Sequence, residues 1–319
     1  MAEIVLGIAA SHGSSTFAPS STWDFYAARD RRKPYYDEML AKARPAMAKE
    51  ASPEKMEEKF QAGQRAQAQL DEIVTRTSPD VIVVFGDDQH EQFHDDNMPM
   101  FCVYRGASMA RGERRRQRDE WKAEAGGAPP LWAPDRVFEG APELAEHLIA
   151  RLVEAGIDVA CSNELKTDVG LGHAFTHVAE NMPSIGERAM LPFMVNTYYP
   201  PNQPTAARAY TLGQAVRAAI EEWDSDQRVA VMASGGLSHQ RIDEELDRAV
   251  LDAMERKQPD VLRAIPGTQL QGGTSEILNW ITVSGAMEPM TMSVVDYVPA
   301  YRTPAGTGLA MGFAYWTRA

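Results

Sequence analysis

Four of the seven histidines in this 319-residue chain fall where a strand-like run gives way to a loop. The apolar run Ile4 to Ala10 leads into Ser11, His12 and Gly13, and the run DVIVVFGDD (80–88) precedes His90. RVAVMASGG (228–236) precedes His239, and His173 sits in the glycine-flanked turn GLGHAF, a few residues after the run at 158–163. Packing alone gives histidines no reason to gather at strand ends, whereas ligands and chemistry collect at the carboxyl ends of strands in open α/β sheets. His147 reads as part of an amphipathic helix, and His94 and His177 as neighbours of His90 and His173, four residues on.

Several chemistries drop out. There is no G-x-S-x-G nucleophile elbow, and no H-E-x-x-H, P-loop or G-x-G-x-x-G after a strand. The two cysteines, Cys102 and Cys161, make neither a disulfide framework nor a thiolate zinc site. What remains is an imidazole-plus-carboxylate metal site. Two neutral histidines and one carboxylate on one side of an ion leave positions open for substrate and O2, as in non-haem Fe(II) oxygenases. Zinc accepts the same ligands for hydrolysis. For the carboxylate, Asp87 and Asp88 precede His90 in GDDQH, with Asp87 and Asp88 also suited to fix an imidazole tautomer. Glu276 lies in QGGTSEILNW, where the dipole of the following helix alone would favour an acid. Spacing leaves Glu276 and Asp88 level.

The elements that must position these residues are legible as alternating periods. Strand-like runs lie at 3–11, 80–88, 100–106, 158–163, 191–199, 228–236, 290–298 and 308–316, several of them apolar throughout, as in strands covered on both faces. Helical patterns occupy 142–156, 206–223 and 240–257. The alternation predicts an α/β fold: a mixed sheet flanked by helices, with the site at the carboxyl ends of its strands. One catalytic domain over 1–319 is expected, with a helical insertion at 34–78 and a loop-rich insertion at 107–138. A net charge of −13 excludes a nucleic-acid surface, which needs a basic footprint. No apolar run approaches the roughly 20 residues that span a bilayer. With no secretory pattern at the start and few cysteines, the expected location is cytoplasmic.

Five landmarks then occur together: ASH at 10–12, DDQH at 87–90, GHAF at 172–175, SGGLSHQ at 234–240 and GTSEILNW at 273–280. In order and spacing the chain resembles the class III extradiol ring-cleavage dioxygenases, typified by the catalytic β subunit of protocatechuate 4,5-dioxygenase and including single-chain enzymes for gallate, methylgallate and catecholic biphenyl acids. The resemblance implies a non-haem Fe(II) enzyme that opens a catecholic aromatic acid with O2. It implies His12, His90 and Glu276 as iron ligands, and so favours Glu276 over Asp88. It implies His173 as acid–base catalyst and His239 as a neighbour of the pocket. The substrate acid would need a cationic partner, for which Arg302 in AYRTP is the candidate. The family's small helical partner has no match here, so segment 34–78 is expected to cover the pocket, and a homo-oligomer is expected. A zinc hydrolase on the same scaffold, or a metal-free binding relative, are the alternative readings.

Overall fold

A computed structural model describes residues 1–127 and 136–318. Eleven strands are present among them: β1 Glu3–Ala10, β2 Val81–Asp87, β3 Phe101–Tyr104, β4 Ser108–Ala110, β5 Val137–Glu139, β6 Ala160–Ser162, β7 Ala189–Val195, β8 Arg228–Ser234, β9 His239–Arg241, β10 Thr291–Tyr301 and β11 Thr307–Thr317. Nine form one sheet in the order β10-β11-β1-β8-β2-β7-β3-β6, with β9 paired to β11; β4 and β5 make a separate ribbon. The centre, β1-β8-β2-β7, is parallel throughout. Antiparallel pairing flanks it, with β11 on β1 and β3 on β7. The mixed α/β sheet expected from the sequence is the observed one.

Alternation along β2 shows why these strands read as continuous apolar runs. Val81, Val83 and Phe85 enter one core with the helices Pro142–Glu154, Ala206–Glu222 and Ile277–Ala286. Ile82 and Val84 enter a second core on the opposite face, with the helices Pro53–Thr77 and His173–Asn181. Successive side chains point to opposite faces, and here both faces are dry.

Segment 34–78 ends in a sheet-covering helix. Ser52 caps Pro53–Thr77 by accepting from Lys55 N at 3.3 Å, and Ser78, at φ 48°, ends it in the left-handed region. Its buried residues Met56, Gly63, Ala66, Leu70, Ile73 and Val74 recur at helical spacing and face the sheet. Fully burying side chains such as Leu70 and Val74 stabilises the fold by about 1.5–3 kcal/mol each. This helix is the crossover from β1 to β2. The expected insertion 107–138 holds the ribbon and the helix Glu113–Glu124, and residues 128–135 of it lie outside the described residues. Among the described residues no helix is long and apolar enough to cross a membrane. Cys102 is buried, but Cys161 is exposed on the short edge strand β6.

Because β1, β8, β2 and β7 run parallel, their carboxyl ends open on one edge. Register pairs Ala10 with Ser234 and Asp87 with Val195. The residues just beyond these pairs are therefore neighbours in space, however far apart in sequence.

Candidate active site

His12 follows β1 and is 2% exposed. Its Nδ1 lies 3.0 Å from Ser234 Oγ, and that hydroxyl donates to Ala174 O. The serine proton is thus committed, so His12 Nδ1–H must be the donor, which leaves the Nε2 lone pair facing the site. Burial, only partly countered by Glu276, holds the His12 imidazolium down to about 3, so the ring is neutral near pH 7. A neutral imidazole with its tautomer fixed from behind is what a metal ligand requires.

Two carboxylates face that nitrogen. Asp87 Oδ1 and Glu276 Oε2 each lie 3.8 Å from His12 Nε2, and both residues are buried. Glu276 reaches the site from the short helical turn Gly272–Glu276, which leads into the fully buried helix Ile277–Ala286. That helix is tied to the end of β8 by Asn279 Nδ2 donating to Ser234 O at 3.0 Å and Trp280 Nε1 donating to Gly235 O at 2.9 Å. The fit depends on two glycines. A Cβ on Gly235 would stand 2.9 Å from Glu276 Cβ, and one on Gly273 would stand 2.2 Å from the His239 ring. Gly236 N donates to Glu276 Oε2 at 2.7 Å, while Glu276 Oε1 lies 3.1 Å from His239 Nε2 and accepts from Tyr198 OH at 3.3 Å. Burial alone would raise the Glu276 carboxyl, but the charges of His239 and His12 and the Gly236 N–H outweigh it and hold the group down to about 2. Burial opposes a charge on His239 too, yet Glu276 keeps its imidazolium above the ordinary range. Burial, reinforced by Glu276, pushes the Tyr198 phenol well up, so it is a donor.

His173 starts the helix His173–Asn181. Glu91 Oε2 accepts from both its backbone N, at 3.0 Å, and its ring Nδ1, at 2.9 Å. Its Nε2 turns to the same space as His12, with ring centroids 4.8 Å apart, and stands 3.9 Å from Asp87 Oδ2. His12, Asp87 and His173 each place one ligand atom within 4.8 Å of the others, so a metal ion can be held here. Sequence reasoning missed Glu91, Tyr198 and the ligand-like position of Asp87. It also missed His177, whose Nδ1 donates to His12 O at 2.8 Å.

His90, expected as the second iron histidine, is not brought into this group. Asp88 spends its carboxylate on the turn that follows, accepting from Glu91 N, Gln92 N and Phe93 N at 3.2, 2.8 and 3.0 Å. The turn puts His90 at φ 56°. Its ring stacks on Tyr199 with centroids 3.8 Å apart, and Nε2 lies 3.2 Å from the exposed Asp95. Asp88 is likewise consumed by the turn. Arg302 does line the pocket but is buried and already paired: Nη2 lies 3.1 Å from Asp30 Oδ2 and Nη1 donates to Ser14 Oγ at 3.1 Å. It fastens the segment after β1 to the end of β10.

The pocket over these residues has a volume of about 220 Å³. Its inner end holds His12, His173, His239, Tyr198 and Glu276, and its outer wall is built by Phe17, Tyr26, Arg29 and Lys33, with Lys122 beside them. Among the described residues, the cover comes from 14–33 and Lys122, and none of the lining residues lies in 34–78.

Comparison with known families places this edge in context. Residues 44–308 match the family described as the catalytic LigB subunit of aromatic ring-opening dioxygenase. The chain belongs to that family. Within it, a 2,3-dihydroxyphenylpropionate/2,3-dihydroxicinnamic acid 1,2-dioxygenase of Photorhabdus laumondii is 33% identical over 171 residues, covering 54% of this chain and 46% of the relative. Proteins of the same name from Cupriavidus necator and a Mycobacterium species are 31% and 30% identical over 193 and 168 residues. The alignments cover 60% and 53% of this chain, and 54% and 46% of those relatives. The chain thus spans about half the length of the curated relatives it matches. The LigB-family match takes in His90, His173, His239 and Glu276, and begins after His12.

Proposed function

We propose that this chain is a non-haem Fe(II)-dependent extradiol dioxygenase that opens the ring of a catecholic aromatic acid with O2. The observation that carries the reading is the convergence of His12 Nε2 and Glu276 Oε2, 3.8 Å apart, beside a third imidazole whose Nδ1 is anchored on Glu91. These residues fit a divalent ion: a neutral nitrogen with its lone pair turned inward, and an ionised, buried carboxylate. When bound, the iron supplies the O2 chemistry that splits a ring bond next to the diol.

The chain's own residues do the rest. His173 Nε2 accepts the proton of a catechol hydroxyl and later returns it to an oxygen of the opened ring. Glu91 fixes its tautomer and steadies the imidazolium. His239 is a positioning residue that, with Tyr198, fastens the second oxygen of Glu276. The buried floor and the wall from 14–33 exclude water around the reacting ring. The family relationship and the relatives' printed names, which are those of catecholic acid dioxygenases, support this reading. It carries with it a cytoplasmic, homo-oligomeric protein. Anaerobic loading with Fe(II), followed by a screen of catecholic acids, tests it. O2 uptake with a yellow ring-fission product is expected, and a fully iron-loaded protein that consumes no O2 with any of them would refute it.

The charge layout of the pocket narrows the substrate. Acids lie at the inner end, while Arg29, Lys33 and Lys122 stand at the outer wall and Arg302 is neutralised by Asp30. An acid bound diol-inward turns its carboxylate toward Arg29, in the last turn of the helix Trp23–Asp30, and Lys33 just beyond that helix. Exposed pairs of this kind contribute at most about 1 kcal/mol. Arg29→Glu or Lys33→Glu should therefore raise KM for the acid roughly three- to tenfold and leave KM for an uncharged catechol unchanged. Equal effects on both substrates would remove these residues from acid recognition.

A further inference from the structure

We propose that Asp87, and not the histidine three residues on, is the protein ligand that strand β2 gives to the metal in this chain, beside His12. The inference rests on the reading above that a divalent ion occupies this edge of the sheet.

Four observations converge on Asp87. It is the last residue of β2, fully buried and held in register against Val195, so its carboxylate is delivered by rigid sheet rather than by a loop. Its Oδ1 is buried and has no hydrogen-bond partner, and it faces His12 Nε2 at 3.8 Å. Its Oδ2 is oriented by Gln89 Nε2, which donates at 3.0 Å. Donor atoms sharing an ion with bonds of about 2.0–2.2 Å are at most roughly 4.4 Å apart; the His12 to Asp87 separation falls within that reach, and the ligand atoms of His12, Asp87 and His173 all lie within 4.8 Å of one another. An unpartnered carboxylate oxygen in a dry site is costly unless a cation or donor meets it.

His90 shares one of these conditions, since its Nε2 is also buried without a hydrogen-bond partner, but it lies beyond the strand and faces away from His12. Its side chain is 34% exposed, it is stacked on Tyr199, and its Nε2 faces Asp95. The turn that carries it is held by three backbone N–H groups donating to Asp88. The consequence is chemical. A carboxylate in place of an imidazole lowers the net charge left on a divalent ion by one, and carboxylates favour harder cations.

The test reads metal affinity rather than turnover. Purified protein is titrated anaerobically with Fe(II) against a chromophoric chelator, and with Mn(II) by EPR. Asp87→Asn should weaken both ions by roughly 100-fold or more, since even residues that only orient a ligand are worth 10–100-fold. His90→Ala should stay within threefold of the parent for both. An Asp87→Asn variant that binds within threefold, or a His90→Ala variant that loses the metal, would overturn the assignment. Should Asp87→Asn prove too unstable to load, the His90→Ala result decides alone. Failure of the dioxygenase reading shows separately, as a loaded parent protein without O2 uptake.

Discussion

Replacing His173 by glutamine is expected to lower ring-cleavage turnover by roughly 10²–10⁴-fold, the usual worth of a positioned general base, while iron content and catechol binding stay near those of the parent protein. The expectation follows from how the ring is held. Glu91 takes Nδ1–H and also the backbone N–H at the start of the helix His173–Asn181, so the imidazole is anchored through the nitrogen that does no chemistry. Its Nε2 then faces the pocket floor beside His12 and Asp87. Glutamine preserves size and polarity without a basic nitrogen, which separates proton transfer from pocket shape. Iron content by metal analysis, equilibrium binding of a catechol under nitrogen, and turnover under air are the three readouts. Loss of iron from His173→Gln would make Nε2 a ligand and remove His173 from the acid–base role.

Much of the fold was legible because its long strands are dry on both sides. The runs at 80–88 and 228–236 became β2 and β8 within one or two residues at each end. The three-residue strands β4, β5 and β9 were not legible, because so short a run carries no period. The pattern at 240–257 illustrates the conflict. Residues 239–241 pair with β11, and the helix begins only at Glu244, where Asp243 accepts from Leu246 N at 3.0 Å. Strand order was also hidden, since nothing local to β1 or β2 says that β8 lies between them.

The candidate site divides in the same way. His12, His239, His173 and Glu276 stand at ends of elements, and glycines beside them mark close approach, so residue type and position pointed to one place. His90 stands apart from the cluster because a turn carries it away. Asp88 accepts from the backbone N–H groups of Glu91, Gln92 and Phe93, closing a local turn that contains His90. For Arg302 the unread feature is longer-range: its partner Asp30 is 272 residues away in the chain and silent in any window of sequence. Glu91 sits beside the DDQH landmark, and Tyr198 follows β7 at the same sheet edge, so strand-end position was the available signal for both.

Glu276→Gln is expected to abolish iron retention and, with it, activity, although glutamine has nearly the same shape. The carboxylate is fully engaged on the protein side: Oε2 accepts from Gly236 N, and Oε1 is met by His239 Nε2 and Tyr198 OH. An amide cannot accept from all of these and also face a cation, and it carries no charge to hold one. Metal affinity should fall roughly 100-fold or more. The metal-free protein offers an independent check through pH. The Glu276 carboxyl is depressed despite its burial, so its contribution to stability is present above the unfolded carboxyl value of about 4.3 and fades as the pH falls toward about 2. His239 is raised despite its burial, so its contribution is present below the unfolded value of about 6.5 and fades as the pH rises through its folded value. Urea unfolding of chelator-treated protein should therefore show the largest gap between parent and Glu276→Gln between about pH 4.3 and 6.5, narrowing on either side. A gap that is constant from pH 4 to 8 would mean that the two groups are not paired as ions. Iron retained by Glu276→Gln at parental affinity would remove Glu276 from the metal site.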